Sequence, residues 1–246
     1  MQILGIIPAR FGSSRFPGKP LALICGKPMI QRVYENARAS SILSRVVVAT
    51  DSREIARAVS GFGGEVCMTS ERHATGTDRI AEAAARYDAE LVVNVQGDEP
   101  LLQPAAIEQA TCPLLEKRLY DMGTLMAPIR SLEDMRNPNI VKVVTDRRGR
   151  ALYFSRSAIP FYRDGDPSPP PCRHIGLYVY RKDFLMTLTG LAQTPLERAE
   201  KLEQLRALEN GFAIHVAATD YEPIGVDVPE DIRLVEAELR RQGRAS

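Results

Sequence analysis

Ile3-Leu4-Gly5-Ile6-Ile7 is a run of five apolar residues with no polar alternation. A run of that length suits a strand buried on both faces and is too short for a helix. Working outward, Arg45 to Ala49 and Glu90 to Val95 repeat the pattern, and segments of helical character separate the three. Buried parallel strands joined by crossover helices read this way, so the first half of the chain is expected to be a doubly wound, mostly parallel α/β sheet. The first crossover helix is expected to start near Pro28, whose missing N–H costs nothing there, and to run through Tyr34 to Ala39. Asp51 is read as the cap of a second helix beginning Ser52-Arg53-Glu54, and Asp78 to Tyr87 as a third. Ligands of such a sheet sit at the carboxyl ends of its strands.

From about Asp121 the rhythm changes. Gly123 to Ile129, Val141 to Thr145 and Ala151 to Phe154 read as strands, with Thr145-Asp146-Arg147-Arg148-Gly149 as a hairpin turn between the last two. A Pro-rich stretch follows, and Asp166-Pro-Ser-Pro-Pro-Pro-Cys172 cannot supply ladder donors and is expected to be exposed loop. His174 to Tyr180 reads as a strand, Glu197 to Leu208 as an amphipathic helix, Ala213 to Ala217 as a strand and Pro229 to Gln242 as a charged helix. We therefore expect one domain spanning 1–246, carrying an inserted mixed α/β lobe at about 121–190.

Composition narrows the function classes. With 32 Lys+Arg against 31 Asp+Glu, no global field draws in nucleic acid or an anionic membrane, and an anion site must be built locally. Cys25, Cys67, Cys112 and Cys172 form no C-x-x-C pair, which suggests neither a zinc site nor a disulfide framework. No basic leader precedes Ile3, and no apolar stretch approaches the ~20 residues of a spanning helix. A soluble, cytoplasmic protein is the expectation.

Three segments carry chemistry. After the first strand, Ile6-Ile7-Pro8-Ala9-Arg10-Phe11-Gly12-Ser13-Ser14-Arg15-Phe16-Pro17-Gly18-Lys19-Pro20-Leu21 gathers three cations on one loop, with glycines that let backbone approach a polyphosphate. It is not a P-loop, because Ser13 stands where that motif has its first glycine, and no G-x-G-x-x-G occurs anywhere. The third apolar run ends in Gln96-Gly97-Asp98-Glu99-Pro100, where Asp98 suits either a hard cation such as Mg²⁺ or a cap for the helix after Pro104. In Gly225-Val226-Asp227-Val228-Pro229-Glu230-Asp231, Asp227 is equally a helix cap or a second metal ligand.

These segments, together with Asn137-Pro-Asn-Ile-Val-Lys-Val-Val144, Tyr153-Phe-Ser-Arg-Ser-Ala-Ile-Pro160, Arg173-His-Ile-Gly-Leu-Tyr178 and Leu202-Glu-Gln-Leu-Arg206, resemble the 3-deoxy-manno-octulosonate cytidylyltransferases in the same order over nearly the whole chain. The resemblance implies a nucleotide-diphospho-sugar transferase-like fold and transfer of CMP from CTP to the eight-carbon acid sugar Kdo (3-deoxy-D-manno-octulosonate) for lipopolysaccharide biosynthesis, with release of pyrophosphate. It also implies a Mg²⁺ ion held by Asp98 and Asp227, a catalytic role for Lys19, and a homodimer. Nucleotide contacts fall by similarity on Pro8, Ala9, Arg10, Ser14, Arg15, Lys19, Arg72 and Gly76, in part on the loop Ser70 to Arg79, whose Ala74-Thr75 pair departs from the family pattern. Acid-sugar contacts fall on Gln96, Arg156, His174, Tyr178, Glu203 and Gln204. An arginine suits the sugar's carboxylate and the amides, Tyr178 and Glu203 suit its hydroxyls.

By pattern alone His174 reads as a backbone-satisfied strand histidine, Tyr178 as a core or interface aromatic, and Glu203 and Gln204 as solvent-facing helix surface. His73 reads equally well as solvent-facing. Competing functions are activation of another acid sugar, such as sialic acid or 8-amino-Kdo, and a regulator that binds CTP without turnover. The aromatics of Leu152-Tyr153-Phe154 and Ile159-Pro160-Phe161-Tyr162 are too many for a small lobe to bury, which supports pairing of two copies through them.

Overall fold

The first apolar run forms strand β1 (Ile3–Ala9), and a small hairpin of β2 (Leu23–Ile24) and β3 (Lys27–Pro28) leads from it into helix α1 (Met29–Arg38). The computed structural model describes residues 1–12, 15–165 and 168–244. Pro28 sits at the N-cap of α1, one residue outside the first helical position. The chain continues through β4 (Arg45–Thr50), α2 (Arg53–Gly61), β5 (Glu65–Met68), α3 (Gly76–Ala84) and β6 (Leu91–Asn94). All four long strands pair in parallel in the order β5-β4-β1-β6, with Ile6 opposite Val47 on one side and Asn94 on the other. The chain thus winds outward from β1 to β5 and returns to the far side of β1. That reversal makes the carboxyl ends of β1 and β6 a topological switch point, where open α/β sheets bind ligands. Strand β5 escaped the sequence reading because its four residues start on a charge and lack a long apolar run.

The expected cap of α2 is corrected. Ser52, not Asp51, accepts the N–H of Ile55, while Asp51 takes the Arg79 guanidinium at 2.6 Å. Helix α3 starts with a capping box, in which Thr75 accepts from the N–H of Asp78 and Asp78 from that of Thr75.

Two compact units follow from the packing: Met1–Glu108 with the chain from Pro223 onward, and Gln109–Glu222. The boundary falls inside α4 (Pro104–Glu116). The second unit contains β7 (Met122–Pro128), α5 (Leu132–Arg136), β8 (Lys142–Thr145), β9 (Ala151–Ser155), β10 (Cys172–Arg181), α6 (Lys182–Gly190), α7 (Pro195–Glu200), α8 (Gln204–Glu209) and β11 (Ile214–Ala218). Strand β7 pairs antiparallel with β10 and parallel with β11, while β8 pairs antiparallel with both β10 and β9. The change of rhythm past Asp121 therefore marks a mixed sheet, and the Asp146–Gly149 turn joins β8 to β9 as expected. Asp166 and Pro167 of the Pro-rich stretch lie outside the described residues.

The helix expected over Glu197 to Leu208 is two helices. Lys201 adopts a left-handed φ of 55° between α7 and α8, and a buried ion pair from Arg206 to Glu197 fastens the two across the break. The charged closing helix is α9 (Asp231–Arg241), and in the first unit Val235 and Leu239 pack it against Ile24, Met29, Leu101 and Val226. Among the described residues no helix is long and apolar enough to cross a membrane.

Candidate active site

In the first unit an open cleft of about 210 Å³ lies at the switch point, lined by Pro8, Ala9, Arg10, Arg15, Lys19, Gln96, Gly97, Asp98 and Asp227 among others. Its centre is Lys19. A turn of 3₁₀ helix, Lys19–Leu21, is reached through Gly18, whose φ of 71° is the left-handed conformation that glycine adopts without strain, and the Gly18 N–H closes the loop on the Phe11 carbonyl at 3.0 Å. From there the Lys19 ammonium donates to Asp98 Oδ2 at 2.8 Å and to the Val226 carbonyl at 2.8 Å, and lies 3.9 Å from Asp227 Oδ1. Three segments far apart in sequence meet on one cation.

The backbone prepares this meeting. Val226 N–H donates to the Asp98 carbonyl at 2.9 Å, and a Cβ on Gly97 would come within 2.8 Å of the Pro8 carbonyl oxygen, so only glycine lets the end of β6 lie this close to the end of β1. Asp227 does not cap α9. Asp231 does the local work, accepting from the N–H groups of Asp227 and Val228, bonds that hold its carboxyl below the ordinary range. The Asp227 carboxylate instead takes Arg15 Nη2 at 2.9 Å. Likewise Asp98 is committed to Lys19 and not to capping a helix.

A second cleft of the same unit, about 330 Å³, shares Pro8, Ala9 and Arg10 with the first and adds His73, Ala74, Thr75, Gly76 and Arg79. The sequence-predicted Gly76 lies here at the start of α3, but the Arg72 side chain is exposed and does not line the cleft, whereas His73, set aside in the sequence, does. His73 is not simply solvent-facing, since its Nε2 pairs with Glu82. Ser14 lies outside the described residues.

The second unit holds the remaining predicted residues. His174 and Tyr178 stand on β10, His174 just before a register shift between Ile175 and Val179 and Tyr178 within it. Such bulges re-aim side chains. The Thr124 hydroxyl from β7 sits 3.0 and 2.9 Å from the carbonyls of Ile175 and Leu177 and 2.8 Å from His174 Nε2. Carbonyls only accept, so the hydroxyl's proton points at one of them and its oxygen accepts from Nε2–H. That leaves Nδ1 as the acceptor nitrogen of a neutral ring. Burial pushes the His174 pKa down to about 3. The ring rests edge-on against Phe154 at 5.0 Å and tilted against Tyr178 at 5.4 Å.

Tyr178 donates to Gln204 Oε1 at 3.3 Å, and burial, reinforced by the charge of Glu203, raises its phenol above the ordinary range. Gln204 is only 4 % exposed, and its Nε2 is a buried donor with no protein partner. It is thus not helix surface, and an unmet donor beside Tyr178 is suited to a ligand hydroxyl. Glu203 stands at the N-cap position of α8, just after the break at Lys201, without a side-chain capping bond.

Arg156 is held separately. Its Nε donates to the Glu200 carbonyl at 2.7 Å and its Nη1 to the Pro138 carbonyl at 3.0 Å. Glu200 in turn accepts from the Arg156 N–H and the Ser155 hydroxyl. Beneath them the fully buried Lys142 donates to three carbonyls, those of Asn137, Ile140 and Arg156, and its pKa is lowered by burial. Sequence reasoning missed Thr124, Lys142 and Glu200. Lys142 is a charge inside a predicted strand, which does not by itself mark it as buried, and neither Thr124 nor Glu200 is distinguished by its neighbours.

A basic loop, two carboxylates from segments far apart in sequence and a doubly wound sheet define a nucleotidyltransferase. The cytidylyltransferase family model matches residues 4–220, and the chain belongs to that family. The 3-deoxy-manno-octulosonate cytidylyltransferase of Syntrophotalea carbinolica is 60% identical over 98% of this chain and 99% of its own length, and that of Geobacter metallireducens 55% identical over 98% and 99%. A solved CMP:2-keto-3-deoxy-manno-octonic acid synthetase complexed with CTP matches with a TM-score of 0.94 at 39% identity, covering 98% of this chain and 100% of that one. Within the family, the chain is a member of the 3-deoxy-manno-octulosonate cytidylyltransferases.

Proposed function

We propose that the chain transfers CMP from CTP to Kdo: a sugar hydroxyl attacks the α-phosphorus, the bond to the bridging β-phosphate oxygen breaks, and pyrophosphate leaves. The observation that carries this reading is the meeting of Lys19 with Asp98 and Asp227 at the switch point, beside Arg10 and Arg15. Arg10, Arg15 and Lys19 bind the triphosphate and offset the charge that builds on its oxygens. In the second unit Arg156 takes the sugar carboxylate, while Tyr178, His174 Nδ1, Glu203 and the open donor of Gln204 take its hydroxyls.

The donor set suits Mg²⁺. Among the described residues no group of three or more His, Cys, Asp or Glu side chains gathers, and Mg²⁺ is ordinarily held by one or two carboxylates with phosphate oxygens and water completing its shell. Asp98 and Asp227 are those carboxylates in our reading. When bound, the ion lowers the pKa of the attacking hydroxyl and neutralises charge at the α-phosphate. Lys19 and Arg15 orient the two carboxylates meanwhile.

Pyrophosphate release from CTP with Kdo, 8-amino-Kdo and sialic acid in parallel tests the reading. Turnover is expected with Kdo and to vanish on chelation of divalent cations. Binding of CTP with no release in any mixture would instead establish a regulator. We further place the enzyme in the cytoplasm, supplying lipopolysaccharide biosynthesis, as a homodimer. Phe154 is fully buried and packs inward, whereas Phe161 is 88% and Leu152 60% exposed and β9 pairs with β8 alone among the described strands, which supports the dimer. Sedimentation should give twice 27.2 kDa for the unmodified chain and a monomer for Phe161→Glu.

A further inference from the structure

We propose that Glu82 is a positioning residue for nucleotide use, holding the loop from Ser70 to Thr75 in shape at the wall of the second cleft. This loop consists of turns and bends, without helix or strand, yet it supplies His73, Ala74 and Thr75 to the cleft. Helix α3 supplies the order the loop lacks. One oxygen of Glu82 accepts the Ser70 N–H at 2.8 Å and lies 2.5 Å from His73 Nε2, so a single atom gathers the two ends of the turn. Its other oxygen takes Arg86 Nη2 at 2.6 Å, which fixes the carboxylate's rotation. The bonds from Ser70 first and His73 second hold the Glu82 carboxyl below its ordinary range, so it stays ionised and accepts from both.

One turn earlier on the same helix, Arg79 donates to the Thr69 hydroxyl at 2.6 Å and to Asp51 at the end of β4. The Thr75–Asp78 box closes the far end. Residues 69–75 are thus attached to α3 at three successive points, and Glu82 is the middle one. A ligand pressing on His73 to Gly76 meets a loop already in place, so its binding energy is not spent on ordering it. Glu82 itself does not line the cleft. Its effect is exerted through His73 and the backbone at Ser70.

The inference rests on reading the N-terminal clefts as the CTP site, and its test separates the two. For Glu82→Ala in the full-length enzyme, the KM for CTP is expected to rise about tenfold, while the KM for Kdo and the kcat at saturating CTP stay within about twofold. Glu82→Gln keeps one oxygen for Ser70 and His73, so it should recover most of the CTP affinity. Arg86→Ala should leave it within about twofold. Independently of any substrate, amide exchange at Ser70 should accelerate in Glu82→Ala and not in Glu82→Gln. An unchanged KM for CTP, or an equal loss towards both substrates, would overturn the assignment even where exchange at Ser70 accelerates. If the unmodified enzyme consumed no CTP, the nucleotide reading would fall, and exchange at Ser70 would then report the clamp alone.

Discussion

Around Lys19 in the first unit, three cations and two carboxylates converge from loops far apart in sequence; around His174 in the second, a neutral histidine, a tyrosine and an amide converge from a strand and a helix. The difference follows from what each half is proposed to hold. A triphosphate is met with formal charge, carried on glycine-bearing loops and balanced by carboxylates. Sugar hydroxyls are met with neutral donors and acceptors fixed in place, which a bulged strand and a buried helix terminus provide. The first half is therefore built to attract and the second to fit.

The largest effect that sharpens this contrast belongs to the carboxylates. Asp98→Asn and Asp227→Asn keep shape and remove charge, and each is expected to lower kcat by about 100-fold or more at saturating Mg²⁺. Thermal unfolding should move little for Asp227→Asn, because that carboxylate is exposed. Near-normal turnover in either variant would detach the carboxylates from the chemistry and leave Lys19 in a structural ion pair.

A smaller effect divides the halves by substrate. Lys19→Ala should raise the CTP requirement and Arg156→Ala the Kdo requirement, each by about tenfold or more, with the other substrate's KM nearly unchanged. Arg156 also spans the Glu200 and Pro138 carbonyls, so part of its loss is expected as stability; the substrate preference of the KM change is the diagnostic part. If Arg156→Ala raised only the CTP requirement, the division between the halves would be wrong.

The same contrast explains what the sequence revealed. Buried strands β1, β4 and β6 are continuous apolar runs, and the cations of the first loop stand out from them, so the architecture and the cationic cleft were legible from residues alone. The sugar side was reached only through resemblance. His174 and Tyr178 alternate with apolar residues as any strand does, and Gln204 lies on what reads as the solvent face of one amphipathic helix, because nothing marks Lys201 as a left-handed residue that breaks it. Lys142 shows the limit most clearly: in sequence it is a charge inside a strand, and in the fold it is fully buried under three carbonyls.

The smallest expected effect is a flat line. If the second unit recognises the sugar by fit, His174 stays neutral across the working range, because burial holds its pKa near 3 against an ordinary 6.5. The KM for Kdo should then show no inflection between about pH 6 and 9 that His174→Gln removes. Stability carries the complementary sign. A histidine whose folded pKa is depressed leaves the unfolded chain binding more protons below about 6.5, so its contribution is fully present above that pH and is lost progressively as pH falls toward 3. Urea midpoints measured from about pH 7 to pH 4.5 should fall more steeply for the unmodified protein than for His174→Gln, whose amide replaces the ring without a proton to gain. Parallel midpoints, or an inflection in the Kdo KM near 6.5 that the substitution abolishes, would mean that the ring titrates in the working range and that charge, not fit, governs this half as well.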